Sequence, residues 1–371
     1  MNMIATTYVL FLLGKGLNLF EVNLVNTVFF VTLFVCEIPT GAFADVFGRK
    51  KSYVLSCFLL ALGMMVYAIS DTFWEFACAE MISAIGMTFS TGAFSSWLVD
   101  SLKHHTYEGE TRAIFARGAQ LRQGAGILAA LIGAYLFDIS PSLPWIVGGG
   151  LFGIAGTIAW FVMREEYFVR EKFSWKGGLQ ALTGVTRMGL SYGASNANIR
   201  FLMMLVLGLS ISTMSPNMQW QPFFKDWVPN QTSLGFVWTG AAVAMLVGAW
   251  CAPHLLRMMR DERRALLICN IVVALGIIGT VTVGAMPVAF AAFLIHELAR
   301  GAIDPIKESY LHDNIPSKAR ATLVSFESIA HHLGGAVGLV LSGALAEYGS
   351  IQLAWVVSGG ILLVVVFLLR K

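Results

Sequence analysis

His296, Glu297, Arg300, Asp304, Lys307 and Glu308 recur at three- and four-residue spacing in and just beyond an apolar stretch. On a helix this spacing makes one polar stripe, along which Arg300 reaches His296 or Glu297 on one side and Asp304 on the other. Two chemistries fit. The stripe is either an ion-pair ladder that joins helices, or a proton-coupling site with Glu297 as carrier and Arg300 controlling its proton affinity. Glu37, Glu80 and Arg122 stand in other apolar stretches. A charge in hydrocarbon is costly, so each is a candidate for proton coupling or for structural pairing. Glu37 and Arg122 lie at similar depth and could pair, as a structural contact or part of a gate. Ser212-Thr213-Met214-Ser215-Pro216-Asn217-Met218-Gln219-Trp220-Gln221-Pro222 carries a proline that should kink or break a helix. Non-helical backbone at membrane depth is tolerated where it lines a cavity. Asn217, Trp220 and Gln221, with His296 from the stripe, are therefore candidate substrate contacts; an interfacial aromatic belt is the alternative.

Glu327, His331 and His332 lack further ligands at metal-site spacing and read as a solvated or gate-lining group. The five cysteines lie in apolar stretches without CxxC spacing and read as free thiols. No metal or cofactor is expected, and no Walker A motif is present to support ATP-driven transport.

These groups must be positioned by membrane helices. Of 371 residues, 57% are hydrophobic and only 13% charged, with a mean hydropathy of +0.71. A globular domain carries about 25% charged residues. The composition excludes a soluble enzyme, a disordered chain and a nucleic-acid-binding protein. Apolar spans are expected near 22–44, 52–70, 74–98, 115–137 and 144–163, then near 199–222, 233–256, 265–285, 287–306, 322–346 and 351–369. A further one, Met3 to Leu13, has about half the length a span requires. It is expected either to be re-entrant or to be the remainder of a truncated first helix. It lacks the basic n-region and cleavage site of a signal peptide.

The stretch from Arg164 to Arg200 breaks the hydropathy. Leu179, Leu182, Val185 and Leu190 recur there at near-helical spacing, which predicts a surface amphipathic helix. The chain thus divides into a helical half at 1–163, a linker at 164–198 and a six-span half at 199–371. Lys and Arg concentrate in alternate loops: Arg49, Lys50 and Lys51; Lys103, Arg112 and Arg117; Arg257 to Arg264; Lys307, Lys318 and Arg320; and Arg370-Lys371. Placing these loops in the cytoplasm puts the C-terminus there also. Ser96-Trp97-Leu98-Val99-Asp100 matches Ser309-Tyr310-Leu311-His312-Asp313 at equivalent topological places, which suggests parallel repetition of two halves.

Gly41-Ala42-Phe43-Ala44-Asp45-Val46-Phe47-Gly48-Arg49-Lys50-Lys51 follows the first complete span. Gly41 and Gly48 permit close backbone approach. Asp45 suits a neighbouring helix N-terminus, and Arg49 can bridge Asp45 and Asp100. The alternative is that the three basic residues only fix topology. Here the chain resembles the major facilitator superfamily, whose signature in this loop is G-x-L-x-D-x-x-G-R-[KR]. Phe43 and Val46 depart from it. Glu37-Ile38-Pro39-Thr40 resembles bacterial drug-exporter-like members.

The resemblance implies an all-α, multi-pass fold of two six-helix halves in a cell membrane. It implies a secondary transporter working by alternating access, with Gly41, Asp45, Gly48, Arg49, Lys50 and Asp100 as a gating loop. Partners implied are a small-molecule substrate, protons as coupling ion and lipid, with the protein acting as a monomer. Export of drug-like amphiphiles is the favoured direction. However, the stretch 123–133 lacks the proline of the glycine-proline signature that marks antiporters. Uptake of a nutrient or metabolite is the alternative. A membrane enzyme or scramblase would need paired catalytic groups near the lipid surface, and a transporter-like sensor would be expected to lose the loop charges.

Overall fold

The computed structural model describes residues 2–107, 109–165, 196–314 and 317–370. After a 3-10 turn at Asn2–Ile4, thirteen α-helices follow among these residues. They are α1 Tyr8–Gly14, α2 Leu19–Phe47, α3 Arg49–Ile69, α4 Phe73–Ser90, α5 Ala93–His104, α6 Thr111–Ile139 and α7 Leu143–Val162. Then come α8 Ala197–Lys225, α9 Gln231–Met259, α10 Glu262–Thr282, α11 Met286–Asn314, α12 Ser317–Tyr348 and α13 Ile351–Leu369. Ten helical stretches among the described residues are long and apolar enough to cross a membrane. They do not include α6, which is long enough but less apolar. Side chains such as Phe161, Trp250 and Phe367 are at least 70% exposed, as expected of helix faces whose solvent is lipid rather than water.

Each expected span is found as helix, with three differences. The span expected at 74–98 is two helices, α4 and α5, meeting at Thr91-Gly92. Pro216 does not break α8, which runs unbroken from Ala197 to Lys225 with Pro216 and Pro222 inside it. Packing around the proline holds the helix: Ser215 Oγ lies 2.6 Å from Ser358 Oγ, and Gln219 Nε2 donates to Ser342 Oγ at 2.7 Å. The cavity-lining irregular backbone expected there is therefore absent, since neighbouring helices re-satisfy groups that a proline frees. Third, the short first segment is a 3-10 turn followed by a seven-residue helix. Val9, Phe11 and Leu12 in α1 are at most 1% exposed. The amphipathic helix expected around Leu179, Leu182, Val185 and Leu190 lies outside the described residues.

The chain gathers into two compact units. One comprises Met1–Leu17 and Val28–Leu182; the other comprises Asn18–Thr27 and Thr183–Lys371. In the first, α3 packs on α4 and α7, and the 3-10 turn lies on α6. Trp145 of α7 stacks on Tyr67 of α3, with centroids 4.1 Å apart. In the second, α11 packs between α9 and α10, and α8 packs on α12 and α13. The start of α2 belongs with this unit. Leu19 N–H donates to the Glu347 carboxylate at 2.9 Å, and the Phe20 and Tyr348 rings lie 6.1 Å apart.

Small residues set the closest crossing in the second unit. A Cβ on Gly248 of α9 would collide with the Leu298 carbonyl of α11, and one on Gly301 of α11 with the Met245 carbonyl of α9. Without a hydrophobic force between helices in lipid, such backbone proximity provides much of the packing. The crossing also fixes the stretch of α11 that carries Glu297, Arg300 and Asp304.

Candidate functional site

The polar stripe of α11 forms two linked clusters. In the first, Arg300 Nη1 donates to Asn217 Oδ1 of α8 at 2.8 Å and lies 3.4 Å from Glu297 Oε1. His296 Nε2 is 3.3 Å from that same oxygen. His296 is fully buried and Glu297 is 6% exposed, and Glu297 Oε2 has no hydrogen-bond partner among the described residues. In the second, Lys307 Nζ stands 3.0 Å from Asp304 Oδ1 and 2.6 Å from Glu327 Oε1 of α12. Arg300 therefore does not reach Asp304, because Lys307 holds that carboxylate one turn further on. On α12, His331 Nδ1 lies 2.7 Å from Ser210 Oγ of α8.

A cavity of about 410 Å³ opens between these groups. Leu202, Leu205 and Leu209 of α8 give it an apolar wall, while Arg300, Asp304, Lys307, Glu327 and His331 give it a polar one. Asn217 borders it only through Arg300. Trp220 and Gln221 do not line it. They are 6% and 2% exposed, with the Trp220 ring 6.5 Å from that of Phe293. The unbroken course of α8 turns them into the helix packing.

In the first unit Glu80 is buried, and its Oε1 accepts from Tyr8 Oη at 2.7 Å and from Tyr67 Oη at 2.6 Å. The carboxylate thereby ties α1 and α3 to α4. Glu37 and Arg122, which by depth could pair, are both exposed and make no ion pair with one another.

The loop expected at 41–51 contracts to a single residue, Gly48, between α2 and α3. Gly41 is helical with open space around it, so no close approach requires a glycine there. Gly48 has φ +100°, a region disfavoured for residues with a Cβ. A Cβ there would also strike the Glu165 carboxylate. Glu165, rather than Asp45, occupies the N-terminus of α3. Its oxygens accept from Arg49 N–H at 2.7 Å and from Lys50 N–H at 3.2 Å. This places a negative charge where the helix dipole favours it. Arg49 pairs with Asp100 through its guanidinium, while Asp45 is exposed and has no ion pair among the described residues. Lys50 Nζ lies 5.6 Å from the centre of the Trp160 ring. Trp97 Nε1 donates to the Arg164 carbonyl at 2.9 Å, so two residues following α7 are docked on the start of α3 and on the body of α5.

The corresponding loop of the second unit is built locally. Arg260 takes φ +54° and Asp261 caps α10 by accepting from Arg264 N–H at 3.2 Å. Arg263 donates to the Leu369 carbonyl at 2.9 Å. In both units the end of the last helix thus returns to a helix start, to α3 through Glu165 in one and to α10 through Arg263 in the other.

The Major Facilitator Superfamily model matches residues 1–198 and 200–371. The chain belongs to the major facilitator superfamily. An uncharacterized MFS-type transporter, YxaM, from Bacillus subtilis (strain 168) is 22% identical over 380 residues, covering 100% of this chain and 90% of that protein. The tetracycline resistance protein, class D, from Salmonella ordonez is 27% identical over 226 residues, covering 60% of this chain and 52% of that protein. The nucleoside transporter NupG has the same fold, with a TM-score of 0.76 at 14% identity over 100% of this chain and 94% of that one. The human organic anion transporter MFSD10 (TETRAN) has a TM-score of 0.64 at 16% identity over 94% of this chain and 83% of that one. The protein is a multi-pass membrane transporter of this superfamily and not an enzyme.

Gly48→Ala should destabilise the family's loop here by about 1–3 kcal/mol from backbone strain alone. Thermal unfolding of the detergent-purified protein is the readout. An unchanged midpoint would show that neither the backbone angle nor the Glu165 cap matters to stability.

Proposed function

We propose that the protein exports drug-like amphiphiles by alternating access, driven by protons. The observation that carries this reading is the cavity of the second unit. It joins an apolar wall to ionisable groups, of which Lys307 and Glu327 are largely buried and Arg300 leads back to the buried Glu297, which suits a small amphiphile and a titratable coupling site. Glu297 is the proposed carrier and Arg300 the group that governs its proton, with Asn217 steadying Arg300. Glu80, held by two phenols, is a second proton candidate; Glu37 and Arg122 are less favoured because they are exposed. In this reading the Arg49–Asp100 pair, with Gly48, Lys50 and the Glu165 cap, forms the gate. The basic loops and the C-terminus face the cytoplasm, and the protein works as a monomer in the cell membrane.

The similarity to a tetracycline resistance protein supports export. A second reading, uptake of a polar nutrient, is favoured by likeness in fold to a nucleoside transporter. Reconstituted vesicles with an imposed pH gradient separate the two. Ethidium, tetracycline and carboxyfluorescein represent amphiphiles; uridine and a dipeptide represent nutrients. Gradient-dependent movement of an amphiphile is the expected result. Movement of uridine or the dipeptide alone would overturn export, and flux indifferent to the gradient would overturn proton coupling.

A further inference from the structure

We propose that Lys307 is a built-in stand-in for the positive charge of the substrate, and that the cavity takes amphiphilic organic cations. The inference rests on the transport reading above and names its substrate class.

Two cations and two carboxylates line the cavity, but Arg300 is occupied from behind the lining by a third carboxylate, Glu297. Arg300 is engaged by Glu297 and by Asn217. That leaves one ammonium, Lys307, between two carboxylates on two helices, Asp304 and Glu327. Among the described side chains, counting Arg300 and Lys307 against Glu297, Asp304 and Glu327, the cluster holds one carboxylate more than it holds cations. His331, the other titratable group on the wall, is bonded to Ser210.

The excess is accessible. The Asp304 side chain is 78% exposed, whereas those of Lys307 and Glu327 are 19% and 15% exposed. A cation entering the cavity meets Asp304 first. Lys307 is a compact charge on a flexible four-carbon stem, so it can withdraw and yield its two partners to an incoming ligand. The cavity volume, about 410 Å³, suits a drug-sized molecule. The α8 leucines then cover its apolar body opposite the carboxylates. Before the substrate enters, Lys307 keeps the buried Glu327 paired, which an empty low-dielectric site requires.

The signs of the expected effects are opposite for neighbouring residues. Equilibrium binding of tetraphenylphosphonium to the detergent-purified full chain is the measurement. Lys307→Met should tighten binding about tenfold by removing the competitor, and Asp304→Asn should weaken it about tenfold. Lys307→Arg should restore affinity towards the wild-type value. Asp304 is largely exposed, so its replacement does not threaten the fold and keeps the test informative should Lys307→Met fail to fold. Anilinonaphthalene sulfonate, an amphiphilic anion, serves as the opposite probe. The proposal is overturned if Asp304→Asn leaves phosphonium binding unchanged, if Lys307→Met weakens it, or if the anion binds more tightly and through Arg300. Binding needs no gradient. A protein that moves another amphiphile in vesicles but binds no phosphonium refutes the cation class alone; one that moves nothing refutes the transport reading.

Discussion

Glu297→Gln is expected to lower pH-gradient-driven flux of the transported amphiphile by at least about tenfold, equivalent to about 1.4 kcal/mol. Exchange of the same amphiphile across vesicles without a gradient should persist. The amide keeps the shape of the carboxyl and still accepts from Arg300, but it neither gains nor loses a proton. In the native site one carboxylate oxygen faces both the Arg300 guanidinium and the His296 imidazole, and the other is buried without a partner among the described residues. Such a group has one oxygen for its counter-charge and one for a proton. Arg300→Gln should impair driven flux too, by removing the charge that opposes protonation. Unchanged driven flux in Glu297→Gln would sink the assignment of this carboxylate as carrier. It would then point to Glu80, whose two phenol donors lie in the other unit.

The second large effect concerns folding. Gly301→Ala should destabilise the protein by about 1–3 kcal/mol, because the added methyl meets backbone rather than a movable side chain. The new carbon would collide with the Met245 carbonyl. Gly360→Ala makes the same chemical change in a helix of the same unit, where nothing lies within 4 Å. There the gain in helix propensity should stabilise by up to about 1 kcal/mol. Thermal unfolding midpoints moving in opposite directions are the expected outcome. Equal shifts would mean that the α9–α11 crossing is looser than its geometry implies. Met245 also borders the cavity, so an altered crossing should change ligand affinity along with stability.

The helices were legible because lipid imposes a simple rule on sequence, about 20 apolar residues per crossing. Three-residue spacing likewise brought Glu297 and Arg300 together correctly, since one helix fixes their relation. What sequence could not supply were partners from other helices. Lys307 meets Glu327 of α12, Arg300 meets Asn217 of α8, and Glu80 meets Tyr8 and Tyr67. Hydropathy says that these side chains need partners but not which helices will be adjacent. Asp45 was expected at a helix N-terminus because it is near in sequence, yet Glu165 fills that role from more than a hundred residues away. A carboxylate placed immediately after a span, next to a basic loop, was the available signal. Pro216 leaves α8 unbroken for a related reason. The cost of a proline depends on whether neighbours can satisfy the freed backbone, and that is a property of the assembled bundle.

The division of α2 bears on the order in which the molecule is completed. Its first turns are made more than three hundred residues before their partners, Glu347 and Tyr348. The second unit therefore lacks part of its packing until Glu347 and Tyr348 have been made. A cut in the linker, whether by protease or by splitting the gene, would separate residues 18–27 from the unit they complete. The amino-terminal fragment would then carry ten residues that belong to the other half, and the two pieces would regain a whole second unit only by reassociating.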